Sequence, residues 1–163
     1  MSIARIPAGS EQHPPKSPSP QAEPTLLYVM KQVELAVRSH LDELLKPAGI
    51  TALQYTALTV LERRADSSAA ELARNSFVTT QTMADMVTAL ESRGLISRRR
   101  DPGNRRRLML RLTASGLELL DAYRGKVAAL EERMLTYLTQ RQAGELRRYL
   151  YQCRAALGEQ PPR

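Results

Sequence analysis

One segment interrupts an otherwise helical pattern, and it narrows the folds open to this chain. Arg98-Arg99-Arg100 precede the turn Asp101-Pro102-Gly103-Asn104, and Arg105-Arg106-Arg107 follow it. Leu108, Leu110 and Leu112 then alternate with Met109 and Arg111. Alternation is the period of a half-buried strand, and Pro-Gly supplies turn chemistry between two runs, so the stretch predicts a β-hairpin. From Arg93 to Arg111 there are eight arginines and one acid. A compact loop of unpaired arginines repels itself unless a polyanion is near, and nucleic acid is the abundant polyanion. The competing reading is a solvated charge run.

The remaining order is helical. Residues 1–24 contain Pro7, Pro14, Pro15, Pro18, Pro20 and Pro24, which lack donors and forbid helix, so they predict a disordered or polyproline tail. From Thr25, Leu26, Met30, Val33, Val37, Leu41 and Leu44 share one helical face until Pro47 and Gly49 stop the helix. Leu27, Val29, Leu35 and Leu45 lie off that stripe, the mark of a helix deeply buried or shared with a partner. Thr51 caps a second helix with Leu53, Ala57, Leu58 and Leu61 inward. Ser68-Ala69-Ala70-Glu71 has capping-box form and opens a short helix broken by Asn75 and Ser76. Thr79 or Thr80 caps a longer one carrying Met83, Met86, Val87 and Leu90, closed by Gly94. After the hairpin, Thr113 or Ser115 starts a helix with Leu117, Leu120, Val127, Leu130, Met134 and Leu138. Past Thr139, a last helix carries Leu146, Tyr149 or Leu150, Cys153 and Leu157.

The short helix, the turn through Phe77 and the helix from Thr79 make a helix-turn-helix. Its second helix opens Thr79-Thr80-Gln81-Thr82, and the N-terminal residues of such a helix meet base edges in the major groove. Gln bonds adenine bidentately, and a Thr methyl packs on the thymine methyl. A basic hairpin directly after this motif makes a winged helix. Arg105 and Arg106, just past the turn, are candidates for the minor groove, while Arg98, Arg99 and Arg100 touch phosphates or run along the outer face. The formal charge of +7 agrees with a nucleic-acid partner.

Other chemistries fare poorly. His13 and His40 are the only histidines, with no Cys/His ligand spacing for a metal, no phosphate-binding glycine loop and no base beside the lone Cys153. Neither an enzyme nor a cofactor is expected. No apolar run reaches the length of a membrane span, the N-terminus lacks a signal-peptide h-region, and a single cysteine suits a reducing cytoplasm. Cys153 has two readings: a reactive thiol beside Arg147, Arg148 and Arg154, or, favoured by its place on an apolar stripe, a residue packed in the core or a dimer contact.

Ala70-Glu71-Leu72-Ala73 through Leu90-Glu91-Ser92-Arg93-Gly94-Leu95-Ile96 resembles the MarR family of bacterial transcriptional regulators. So do Asp101-Pro102-Gly103-Asn104-Arg105-Arg106 and Leu112-Thr113-Ala114-Ser115-Gly116. The resemblance implies a mainly α winged helix-turn-helix with a two-stranded wing. It also implies a homodimer built from the first and last helices (about 25–46 and 113–158, around a DNA-binding unit of about 50–112), and a wing arginine, here Arg106, in the minor groove of a palindromic operator. Two residues depart from the family's pattern. Asn104 stands where an Asp usually helps hold the wing arginine. Asp85 stands where a basic residue is common, and it either affects sequence choice or pairs with a nearby arginine. The resemblance further implies small aromatic or phenolic acid effectors, for which Arg38, His40 and Tyr55 are the candidates, although Tyr55 also fits an inward position. The expected function is a cytoplasmic, ligand-responsive repressor of double-stranded DNA, associated with the nucleoid when bound. The alternatives are an oxidant sensor through Cys153 and an architectural protein of low specificity.

Overall fold

A computed structural model describes residues 23–76, 78–104 and 107–158. Nearly the whole proline-rich stretch, Phe77, Arg105 and Arg106 therefore lie outside the described residues. Six helices and three short strands follow in the order α1 (Leu26–Leu45), α2 (Ala52–Arg63), β1 (Ser67–Ser68), α3 (Ala69–Ser76), α4 (Thr80–Ser92), β2 (Ile96–Arg100), β3 (Leu108–Leu112), α5 (Ala114–Met134) and α6 (Gln140–Leu157).

Local chemistry explains most boundaries. Thr25, Thr51, Thr79, Thr113 and Thr139 each cap a helix, the side-chain oxygen accepting from a backbone N–H in the first turn. Gln54 and Gln142 complete capping boxes by accepting from the cap's own N–H. Pro47 sits in a 3₁₀ turn, Lys46–Ala48, that ends α1, and Gly49 and Gly94 take φ of 64° and 68°, positions that favour a residue without Cβ. The turn after β2 closes as expected, with Asn104 N donating to Asp101 O and Gly103 N to the Asp101 carboxylate at 2.8 Å.

The core packs Leu45, Tyr55, Leu58, Leu61, Leu72, Met83, Val87, Leu90, Ile96, Leu110 and Leu120, drawn from α1 to α5 and the sheet. Four findings differ from the pattern read in the sequence, the first being that α5 ends at Met134, so Leu138 lies in the turn before α6 and not on the helix. The hairpin gains a third strand: β1, which begins one residue before the expected start of α3, pairs Ser67 with Leu110 and Ser68 with Met109, giving the order β1-β3-β2. The alternation in β3 also fails at one end. Leu110 is buried, but Leu108 pairs with Arg100 far along the hairpin and is exposed, whereas Met109 is covered on the other face. Finally, the expected stripe of α1 is exposed at Leu26, Met30 and Val33. Its deepest residue is Leu45, off that stripe, because only the C-terminal turns reach the core. None of the residues of α6 is buried in the single chain.

Candidate nucleic-acid interface

α3 packs against both α2 and α4, and Leu72 of α3 with Met83, Val87 and Leu90 of α4 enters the common core. The opposite side of α4 faces solvent at Thr80, Gln81, Ala84, Asp85 and Thr88. Of the four polar residues at its start, two serve the cap. Thr79 Oγ1 accepts from Thr82 N at 3.1 Å and lies 2.9 Å from the Thr82 hydroxyl. All four are exposed, and Thr80 and Gln81 are the two that take no part in the cap. Gln81 Nε2 donates to Asp85 Oδ1 at 3.3 Å, which leaves its second amide hydrogen and its carbonyl oxygen for a base edge. Asp85 thus has Gln81 as its hydrogen-bond partner, and no arginine pairs with it among the described residues.

The hairpin contradicts the expectation of unpaired arginines. Arg98 leans back onto α4, its Nε 2.8 Å from Glu91, with Thr88 Oγ1 at 3.5 Å. Arg99 and Arg111 share Asp66. Arg107 reaches Glu71 at 2.6 Å. Arg93 donates to the carbonyls of Ala48 and Gly49, fastening the end of α4 to the α1–α2 junction. Nonlocal acids neutralise much of the charge that the linear sequence left bare, because Asp66, Glu71 and Glu91 lie outside the arginine run or on the preceding helix. Arg100 has no carboxylate partner among the described residues. Arg105 and Arg106, the minor-groove candidates, lie outside them.

Glu71 does two jobs. Its Oε2 accepts from Ser68 N and Ser68 Oγ, both at 2.8 Å, while Oε1 holds Arg107. These bonds, those of Ser68 first, hold its carboxyl down to a pKa of about 2. The Ser68-x-x-Glu71 pattern signalled the cap. Its grip on the wing, and the roles of Asp66, Glu91 and Arg93, had no signal in linear spacing.

Thr113 and Gly116 join this unit to α5. Thr113 Oγ1 donates to Gly94 O at 2.6 Å, and Thr113 N donates to Leu95 O at 3.1 Å. Buried Gly116 lets the first turn of α5 lie against the Leu95 carbonyl.

The three effector candidates are not brought together. Arg38 pairs with Glu34 and lines a groove of about 590 Å³ with Asp42, Lys46, Ile50 and Leu53. His40 is exposed. Tyr55 is buried in the core, and that burial pushes its phenol pKa up. Cys153 is exposed, so packing in the core of its own chain, one of its two expected settings, is excluded. No helix among the described residues is long and apolar enough to cross a membrane, and no cluster of metal-ligating residues occurs among them.

Comparison with known proteins agrees with this geometry. The MarR family model matches residues 50–108, from the start of α2 into β3. The HTH-type transcriptional repressor Rv2887 of Mycobacterium tuberculosis (strain ATCC 25618 / H37Rv) is 32% identical over 123 residues, 76% of this chain and 88% of that protein. Among solved structures, the transcriptional repressor CouR bound to a 23-mer DNA duplex superposes with a TM-score of 0.70 at 28% identity, covering 79% of this chain and 92% of the other. The transcriptional regulator PA4135 has the same fold at a TM-score of 0.73 and 21% identity, over 80% and 96% of the two chains. With its α3–α4 pair, its hairpin and its α5 joint all in place, the chain belongs to the MarR family.

Proposed function

We propose that this chain is a sequence-specific repressor that binds double-stranded DNA as a homodimer in the cytoplasm. The observation that carries the reading is the outward face of α4, where Thr80 and an Asp85-oriented Gln81 stand at a helix N-terminus beside a basic hairpin. Gln81 reads adenine in the major groove. The wing tip, with Arg105 and Arg106, follows the backbone into the adjacent minor groove. Similarity to the DNA-bound repressor CouR supports this assignment.

The homodimer is supported by exposed apolar side chains at both ends of the chain: Leu26, Leu27 and Val33 on α1, and Leu146, Leu150 and Leu157 on α6. A helix of the length of α6 with no fully buried residue in its own chain gains its stability from another surface. Two copies, joined by residues of about 25–46 and 113–158, set two units of about 50–112 on successive major grooves roughly 34–36 Å apart. A small aromatic or phenolic acid is the proposed effector, its carboxylate meeting Arg38 in the groove beside Lys46.

Selection of bound fragments from random duplex DNA tests the main reading. The expected result is an enriched pseudo-palindrome with half-sites one helical turn apart. Uniform recovery of all sequences would leave only an architectural role. Sedimentation at micromolar concentration is expected to give twice the chain mass, and a monomer that binds tightly would refute the dimer. Loss of the bound fragment on titration with a benzoate would support the effector, and Arg38→Ala should abolish that response. Thiol oxidation that releases DNA would favour Cys153 as the sensor instead.

A further inference from the structure

Asp66, in the turn between α2 and β1, has a φ of 61°. Aspartate is among the few residues other than glycine that visit this left-handed region readily. The turn aims its carboxylate across the sheet, where two guanidinium forks close on it. Arg99 of β2 donates through Nε to Oδ1 at 2.8 Å and places Nη2 2.8 Å from Oδ2. Arg111 of β3 donates through Nε to Oδ1 at 3.2 Å and through Nη2 to Oδ2 at 2.6 Å. The hydrogen bonds of Arg99 first, and of Arg111 second, lower the carboxyl to a pKa of about 2, so it stays charged at neutral pH. In this register Arg99, Met109 and Arg111 share the sheet face opposite Leu110, and Met109 is only 9% exposed there. The acid thus ties the strands of the hairpin to the end of α2 over a covered residue.

We propose that Asp66 is a specificity-determining positioning residue of the DNA-binding wing. It holds the hairpin in one attitude against the helix-turn-helix, and it withdraws Arg99 and Arg111 from phosphate contact. This inference rests on the DNA-binding function proposed above. Phosphate neutralisation strengthens binding to every sequence alike, whereas base and shape reading need fixed geometry. A carboxylate that occupies the donors of two arginines lowers the first term and supports the second. With Asp66 the three groups carry a net single positive charge. With asparagine they carry two, and both forks are released to a nearby phosphate.

Asp66→Asn is the direct test, since asparagine keeps the shape and tolerates the same φ. Affinity is measured for a selected operator fragment and for a random duplex of equal length across a salt series. The variant should bind random duplex about three- to tenfold more tightly, with a salt slope steeper by about one unit. Operator affinity should rise less, so the specific-to-random ratio should fall at least about threefold. Hydrogen exchange at backbone amides of 96–100 and 108–112 should quicken by more than the fall in global stability accounts for. Adding Arg99→Gln and Arg111→Gln should return random-duplex affinity and slope to the parental values or below. Parental affinities and slope in Asp66→Asn, or an equal fall in both affinities that tracks the melting temperature, would overturn the proposal. Failure of the parent to bind any duplex would defeat the DNA-binding reading and the specificity role together. Unchanged amide exchange in the variant would defeat the positioning role alone.

Discussion

Gly116→Ala should unsettle the joint between the DNA-binding unit and α5, and its cost can be worked from the contacts. A Cβ at this position would overlap the Leu95 carbonyl oxygen and come within 3.1 Å of Leu112 Cδ2 and 3.2 Å of the Leu95 carbonyl carbon. That carbonyl oxygen also accepts from Thr113 N, so it cannot rotate away without losing a bond. The first turn of α5 must instead back off from Leu95. Overpacking of this kind costs typically about 1–3 kcal/mol. The two hydrogen bonds from Thr113 to residues 94 and 95 are worth about 1 kcal/mol each and are strained by the same movement. The better helix propensity of alanine returns about 1 kcal/mol. The net loss is about 2–4 kcal/mol, a large share of a typical domain stability. At ~2–4 °C per kcal/mol for a chain of this size, the melting temperature should fall by roughly 5–15 °C. Calorimetry of parent and variant measures it. Gly125→Ala, where a Cβ meets nothing within 4 Å in the same helix, should instead leave stability equal or slightly raised. DNA affinity should drop in the Gly116 variant although the residue touches no base. A melting temperature within ~2 °C of the parent, or above it, would refute the reasoning, because helix propensity would then outweigh the clash.

Three further outcomes are expected. Asp66 and Glu71 titrate near pH 2 in the fold, against ordinary values of 3.8 and 4.5, so between these values the unfolded chain binds more protons. Their stabilisation is therefore complete above about pH 5 and fades as pH falls toward 2, and an Asp66→Asn/Glu71→Gln double variant should show a shallower decline of melting temperature. Gln81→Ala should alter sequence preference within the half-site and leave the salt slope unchanged, while Asp85→Asn, which keeps a hydrogen bond to Gln81, should blunt the same preference less; fragment selection on each variant reads both. Arg106→Ala should weaken binding at every salt concentration, lower the slope by about one unit and relax preference at an A·T-rich flank, with no change in melting temperature; a variant with parental affinity and slope would reduce the hairpin tip to a solvated loop.

Local signals were legible wherever the chemistry is local. Threonine caps, the Ser68-x-x-Glu71 box, the Gly94 terminus and the Asp101–Asn104 turn each involve groups within a few residues, so spacing alone announces them. The order of helices and hairpin followed from these signals, and with it the winged helix-turn-helix. Even so, the pattern overestimated how regularly β3 and α1 bury their apolar residues, since periodicity assumes an element covered along its whole length.

The pairing of charges belonged to tertiary structure. Asp66 lies 33 residues from Arg99 and 45 from Arg111, and Arg93 finds its carbonyl partners 44 and 45 residues away. No periodicity links positions so distant, and a charge count along the chain cannot say which arginines a carboxylate will claim. The sequence by itself determined the elements, their caps and the class of partner that a basic hairpin beside a helix-turn-helix meets. Only the fold decided which of those arginines remain available to DNA, because ion pairs form between neighbours in space, and β3 lying between β1 and β2 makes Asp66 a neighbour of the wing.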